Sequence, residues 1–545
     1  LTPGPTPGRR IGLVPRRRSR WLAVAAASGL MLSGYALVGA ADSDSGSPAA
    51  SQPARGSVAG CADTRDKREL RGAWLTTVGN IDWPSEPGLS ADEQKKEMDQ
   101  RLDEAVDLGL NTVFLHVRPT ADAVYESDLE PWSKYLTGEQ GGDPGYDPLE
   151  YAVAEAHERG LELHAWFNPY RVGMNSDIEE LADDHPVRKN PEWLVTHGRE
   201  GYLDPGNPEV QKWVTGVIMD VVERYDIDGV HFDDFFYPYP AEDAVFDDDE
   251  SWERYGDGFD DRDDWRRDNV NEFVAGVHER IQETKPWVRF GISPFGIWRN
   301  DTSDPTGSAT SGLESYSAQH ADTRAWIREG TVDYVVPQLY WERGFDTADY
   351  EELVPWWSDL VEGTGVDLYI GQAAYRAEDK GWSDDTLSKQ LDYSADYPEV
   401  GGDVYFSFKS LTNVGKKAYE NVVEDHYDDP ALPPLADDSR DGEPLVGAVE
   451  GLTATVEDDR TRLEWKAAEG ASSYAVYQLD AEEAALVGTG DPERYCDVLS
   501  ADNLVAVTGQ TSVEDGADED SAYVVTALDD YRVEGPADEI ADTRS

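Results

Sequence analysis

The sequence predicts an α/β protein: a (β/α)8 barrel of parallel strands followed by a small C-terminal β-sandwich. Three observations predict it. Between residues 67 and 430, short apolar runs alternate with amphipathic segments about eight times, the signature of repeated strand–helix units. Polar and aromatic residues recur where those runs end, as they do at the mouth of such a barrel. After an acidic, Pro-rich break at 431–446, residues 447–545 turn to short alternating strands.

Taken in order, strands are predicted over 70–78, 111–117, 161–168, 227–234, 288–293, 332–340, 366–372 and 404–408. The helices that follow them are predicted over 91–108, 148–159, 208–224, 264–283, 323–328, 350–361, 384–393 and 414–423. Asp204-Pro205-Gly206-Asn207 before Pro208 is a turn and helix start.

Ahead of the barrel, residues 1–41 combine Arg16-Arg17-Arg18-Ser19-Arg20, an apolar run from Trp21 and small residues at Val38-Gly39-Ala40-Ala41. That is the build of a signal peptide, with twin-arginine export or a retained membrane anchor as the alternatives. Residues 42–66 form a flexible linker rich in Ser, Ala, Gly and Pro. Val58-Ala59-Gly60-Cys61 resembles a bacterial lipobox, although the apolar run lies well upstream; lipidation of Cys61, a disulfide and a free thiol are the alternatives. The expected location is therefore extracellular or cell-surface.

Composition narrows the chemistry. Lys and Arg number 47 against 111 Asp and Glu, a net charge of −64. A surface this acidic excludes nucleic acid and disfavours anionic membranes, and it is suited to high salt. Cys61 and Cys496 make no CxxC pair, and no zinc spacing, phosphate-binding Gly-rich loop or GxSxG elbow is present. Neither a cofactor nor a metal is expected. Oligomeric state is not legible.

With so many acids, position has to discriminate among them. Side chains alternate across a strand. Over 111–118, Val113, Leu115 and Val117 share the face that packs on helices, while Phe114, His116 and Arg118 face inward. Over 161–168 the inward set is Glu162, His164, Trp166 and Asn168. In Asp228-Gly229-Val230-His231-Phe232-Asp233-Asp234 it is His231 and Asp233, and after 334 it is Gln338, Tyr340 and Glu342. Ser293, Gln372 and Lys409 are further candidates. Four strands thus send polar groups to one mouth, where a merely structural barrel would place branched apolar residues. Loop aromatics add Tyr170, Tyr237, Trp298 and Trp341, along with Trp83, Tyr125, Trp132 and Tyr239. Aromatic faces beside hydroxyl-binding groups suit sugar rings.

The segments Arg71-Gly72-Ala73-Trp74-Leu75 through Asp82-Trp83-Pro84-Ser85, Val117-Arg118-Pro119-Thr120-Ala121-Asp122-Ala123, Ala165-Trp166-Phe167-Asn168-Pro169-Tyr170-Arg171, Asp228 to Asp234, Gly291-Ile292-Ser293-Pro294-Phe295-Gly296-Ile297-Trp298 and Val336-Pro337-Gln338-Leu339-Tyr340-Trp341 together resemble the bacterial glycosyl-hydrolase-like family 10. The resemblance covers roughly residues 67–430. It implies a glycosidase barrel acting on extracellular or cell-wall polysaccharide, with peptidoglycan glycan strands as the narrower implication. Leu463-Glu464-Trp465, Tyr474-Ala475-Val476-Tyr477 and Tyr523-Val524-Val525-Thr526 resemble a fibronectin type III module.

Glycoside hydrolysis uses two carboxyl groups. Asp233, inward beside His231, is the first choice. Adjacent Asp234 is expected to bind substrate hydroxyls or tune its neighbour, because the two side chains diverge. Glu342 is the expected partner from another strand, with Asp122 next; Glu162 lies too early in its strand and too deep. The runner-up reading is a non-catalytic glycan-binding protein at the cell surface.

Overall fold

The computed structural model describes residues 67–241, 244–378, 382–436, 444–457, 460–487, 498–516 and 521–543. The signal segment, the linker before residue 67 and both cysteines lie outside the described residues.

Eight parallel strands close into a barrel: β1 (Leu70–Leu75), β2 (Thr112–Arg118), β3 (Glu162–Phe167), β4 (Gly229–Phe232), β5 (Arg289–Ile292), β6 (Tyr334–Val335), β7 (Asp367–Gln372) and β8 (Val400–Tyr405), with β8 returning to β1. The helices between them start where the sequence offers caps. Ser90 and Glu93 form a capping box at Ala91–Asp107, and Asp147 and Asn207 cap Pro148–Glu158 and Pro208–Arg224. Val113, Leu115, Val117, Val230 and Phe232 join the large core between sheet and helices, and the opposite parity fills the barrel. Gly229 and Gly291 make room inside: a Cβ there would sit 2.5 Å from the His164 ring and 2.1 Å from the Tyr334 ring.

Three elements differ from their sequence expectation. β6 spans two residues, because Pro337 has no N–H for the ladder and the strand continues only as bridges from Gln338 to Phe295 and Gly371. β8 starts at Val400 rather than 404. Gly401-Gly402 looks like a turn, but Gly402 (φ 149°) lies where a Cβ would meet the Leu70 carbonyl at 2.0 Å, so glycine lets β1 and β8 approach. The loop after β3 carries its own antiparallel sheet of Arg171–Gly173, Leu194–His197 and Glu200–Leu203.

The segment 431–436 runs beside the start of β1, with Leu432 N donating to Lys67 O at 2.9 Å and Glu69 N to Leu432 O at 3.1 Å. Beyond it, two antiparallel sheets are consistent with a sandwich. One orders Glu450–Glu457, Arg460–Lys466 and Ser512–Gly516; the other orders Leu504–Thr508, Ser473–Leu479, Ala522–Leu528 and Ala541–Asp542. The alternation of Arg460–Lys466, exposed then buried along its length, matches a strand with one face on a core. This domain meets the barrel at the N-terminal ends of the strands, its floor, where Arg532 reaches Glu162 and Asp228.

Candidate active site

The C-terminal end of β4 is the centre of the mouth. Asp233 and Asp234 are each 5% exposed. Asn168, one residue past β3, donates from Nδ2 to Asp233 Oδ2 at 3.1 Å, and Phe235 N donates to Oδ1 at 3.2 Å. The same Asn168 accepts from Arg171 N at 2.9 Å, which holds its amide in register. Burial pushes the Asp233 carboxyl up to about 7 and the Asp234 charge adds to that, while the Arg171 guanidinium acts in the opposite sense. Asp233 is therefore a carboxyl that exchanges its proton near neutrality. Asp234 turns away from it. Its carboxylate takes the Tyr239 hydroxyl and Gln319 Nε2 (3.2 Å). Burial raises it too, against those hydrogen bonds.

His116 stacks flat on Trp166, centroids 3.8 Å apart and planes 8° off parallel. Burial, with Arg171 adding, drives the His116 ring well below its ordinary value, so it is neutral. Among the described residues the two His116 nitrogens have no hydrogen-bond partner, while the Trp166 indole N–H acts on the Asp233 carboxyl and opposes its rise.

Around this pocket the strand ends supply half-exposed aromatics in two arcs. Phe235, Tyr239, Phe295 and Trp341 contact one another in sequence at 5.6, 6.2 and 5.5 Å. Tyr340 contacts Tyr375 at 6.0 Å and Phe406 at 6.3 Å. Gln338 donates to Ser293 O at 2.9 Å between the arcs. Glu342 follows Trp341, half-buried, and its carboxylate has no ion pair or hydrogen bond among the described residues. Beside Arg171, the loops after β2 and β3 enclose a cleft of about 730 Å³ lined by Thr120, Lys134, Gln140, Val172 and Asn175.

The sequence set thus divides. Asp233, Asp234, Asn168, His116, Trp166, Gln338, Tyr340, Trp341 and Glu342 gather at or around the mouth. Arg118 does not reach a ligand: it is fully buried, forked onto Glu130 at 2.7 and 2.5 Å and bonded to the Asn168 and Pro169 carbonyls. Asp122 is fully buried beneath Gln140 and Thr120, raised by burial to about 6. His164 and His231 lie on the barrel axis, sharing the Tyr334 hydroxyl at 2.8 and 3.2 Å. Tyr170 packs on Phe273, Tyr237 on Phe246 and His320, and Trp298 on Trp356 with its N–H given to Asp322. Trp83 and Tyr125 are likewise buried packing residues. Of the further candidates, Ser293 bonds His231 at 3.0 Å, Gln372 faces outward to Tyr350 and Asp403, and Lys409 is exposed.

Tyr239, expected among the loop aromatics, is at the site, whereas Arg171, Gln319, Tyr375 and Phe406 carry no mark of strand parity. Arg171 follows the strand by four residues and reaches the site through the Asn168 turn, so no strand period marks it. Asp82 is a support: it accepts from Thr76 N, Ser407 Oγ and Lys409 N, tying the loop after β1 to the end of β8.

Buried carboxyls beside aromatic faces at the C-terminal end of a β/α barrel are the arrangement a glycoside hydrolase uses. The family described as Glycosyl hydrolase-like 10 matches residues 69–386. The glycosyl hydrolase YngK of Bacillus subtilis is 48% identical over 385 residues, covering 69% of this chain and 76% of that protein. The glycosyl hydrolase DigH of Escherichia coli is 39% identical over 379 residues, covering 65% of this chain and 86% of that protein. Among solved structures, the glycoside hydrolase domain of PgaB from Bordetella bronchiseptica has a TM-score of 0.41 at 12% identity, over 65% of this chain and 98% of that one. The chain belongs to the glycosyl hydrolase-like 10 family.

Proposed function

We propose that the protein is an exported glycosidase that cuts the glycan strands of peptidoglycan, working at the cell surface. The observation that carries the chemistry is Asp233: a mouth carboxyl raised to about 7, held by Asn168, with an ionisable neighbour in Asp234. Protonated, Asp233 serves as the general acid, giving its proton to the glycosidic oxygen as the C–O bond breaks. Glu342, half-buried and unpaired, is the carboxylate for the other face of the sugar, and Asp234 is set by Tyr239 and Gln319 to keep Asp233 protonated. A polymer rather than a free sugar fits the length of the site: two aromatic arcs and the cleft beside Arg171 extend well past one ring. The basic and apolar stretches of residues 1–41 and the acidic surface support export.

The test is incubation of the secreted protein with purified peptidoglycan and with other polysaccharides, read by mass spectrometry. New reducing ends from peptidoglycan, absent with Asp233→Asn, are expected. Retention on the glycan with no products would make the protein a binder, and products from another polysaccharide alone would move the substrate.

A further inference from the structure

The C-terminal domain does more than adjoin the barrel. A tight turn after Asp529 presents Arg532 in a left-handed conformation (φ 66°), with Arg532 N donating to Asp529 O at 2.8 Å and Arg68 Nη2 to Arg532 O at 2.8 Å. The side chain enters the barrel floor. Its Nε donates to Glu162 Oε1 at 2.6 Å, and Nη2 donates to Asp228 Oδ1. All three groups are buried.

Glu162 then faces a chain of rings along the axis. Its Oε2 lies 3.4 Å from His164 Nε2, an ion-pair distance, and neither atom makes a hydrogen bond among the described residues. His164 Nδ1 meets the Tyr334 hydroxyl at 2.8 Å, and that hydroxyl meets His231 Nδ1 at 3.2 Å. His231 Nε2 is 3.2 Å from Trp74 Nε1. The proton directions follow from the ends. An indole N–H only donates, so His231 Nε2 accepts and the His231 proton sits on Nδ1. That proton points at the Tyr334 oxygen, the tyrosine proton goes to His164 Nδ1, and the His164 proton sits on Nε2, the ring nitrogen nearest the Glu162 carboxylate. Each proton is used once, and all run toward the floor. His231 stands two residues before Asp233 on the same face of β4.

We propose that Arg532 is a positioning residue for the mouth: by fixing the Glu162 carboxylate at the floor, the C-terminal domain orients the one-way chain His164–Tyr334–His231 and so the end of β4 that carries Asp233. Burial alone would neutralise Glu162; Arg532 outweighs it and holds the carboxylate ionised. Without that anion only the Trp74 indole at the opposite end favours one direction, and His164, the ring farthest from Trp74, loses the group that favours its Nε2 proton.

The experiment uses the full chain, labelled with nitrogen-15 at histidine, in wild-type, Arg532→Met, Arg532→Lys and Glu162→Gln forms, each checked for folding by circular dichroism. Long-range nitrogen–proton spectra read the tautomer of each ring. The wild type should show His231 protonated at Nδ1 and His164 at Nε2. Glu162→Gln keeps the Arg532–Asp228 pair and therefore tests the chain even if Arg532→Met does not fold. It should convert His164 to a tautomer mixture and shift His231 with it, while Arg532→Lys returns both toward the wild type. Folded Glu162→Gln protein with unchanged His164 and His231 signals would overturn the proposal. A second readout rests on the proposed glycosidase activity: kcat should fall roughly ten- to a hundredfold with KM nearly constant. A wild type that does not cut peptidoglycan sinks the substrate reading alone, and the tautomers still decide the role of Arg532.

Discussion

Asp228 and Asp233 bracket one short strand and are both buried, yet their surroundings set them to opposite tasks. At the floor, Asp228 takes the Arg532 guanidinium, His157 Nε2 at 2.8 Å and Leu163 N at 2.7 Å. Burial would raise it, but His157 and Arg532 hold it well below the usual carboxylate range. At the mouth, Asp233 has the Asn168 amide, a backbone N–H and the Trp166 indole beside it but, among the described residues, no salt bridge, and burial prevails. Burial is common to both; the nearest cation decides whether a carboxyl is structural or reactive.

The largest expected effect lies at the mouth. Asp233→Asn should lower kcat on the cleaved glycan by about 10²–10⁴-fold without lowering the melting temperature, whereas Asp228→Asn should lower the melting temperature and spare kcat. Next, Arg532→Met breaks a buried pair and should cost about 3–5 kcal/mol of stability in urea titrations; a loss under about 1 kcal/mol would mean the floor pair is not desolvated as described. The pH dependence separates the two ends by sign. The native state holds the Asp233 proton more tightly than the unfolded chain does, so between about pH 4 and pH 7 this group makes stability fall as pH rises. Asp228 and Glu162 are depressed, so their contribution is present above about pH 4 and lost as pH falls through and below it. Asp233→Asn should flatten only the first trend, and the basic limb of the rate profile, near pH 7, should vanish with it. The smallest effect is at the rim. Tyr375→Ala, removing an aromatic 39% exposed, should raise KM a few-fold, about 1 kcal/mol, with kcat preserved.

The same contrast explains what the sequence discloses. Strand parity placed Asp233, Asn168 and Trp166 inward, because alternation is local and the barrel closes on it. It also placed His164, His231 and Arg118 inward, and could not tell that these would be consumed by Tyr334, Trp74 and Glu130, which arrive from distant strands and loops. Depth along a strand matters as much as side, and the deep position read for Glu162 agrees with its contact to Arg532. Gly402 hid the start of β8, because a glycine pair reads as a turn until the neighbouring strand is known. Arg171, Gln319 and Tyr239 come from loops, where no period marks a residue.

The most direct measurement is the titration of two aspartates in the intact protein, followed by carboxyl carbon-13 NMR with Asp233→Asn and Asp228→Asn as assignment controls. Asp233 should titrate near pH 7 and Asp228 should stay ionised to the lowest pH at which the protein is folded. An Asp233 that titrates near pH 4, alongside ordinary exposed aspartates, would contradict the assignment of this strand end as the acid of a glycosidase.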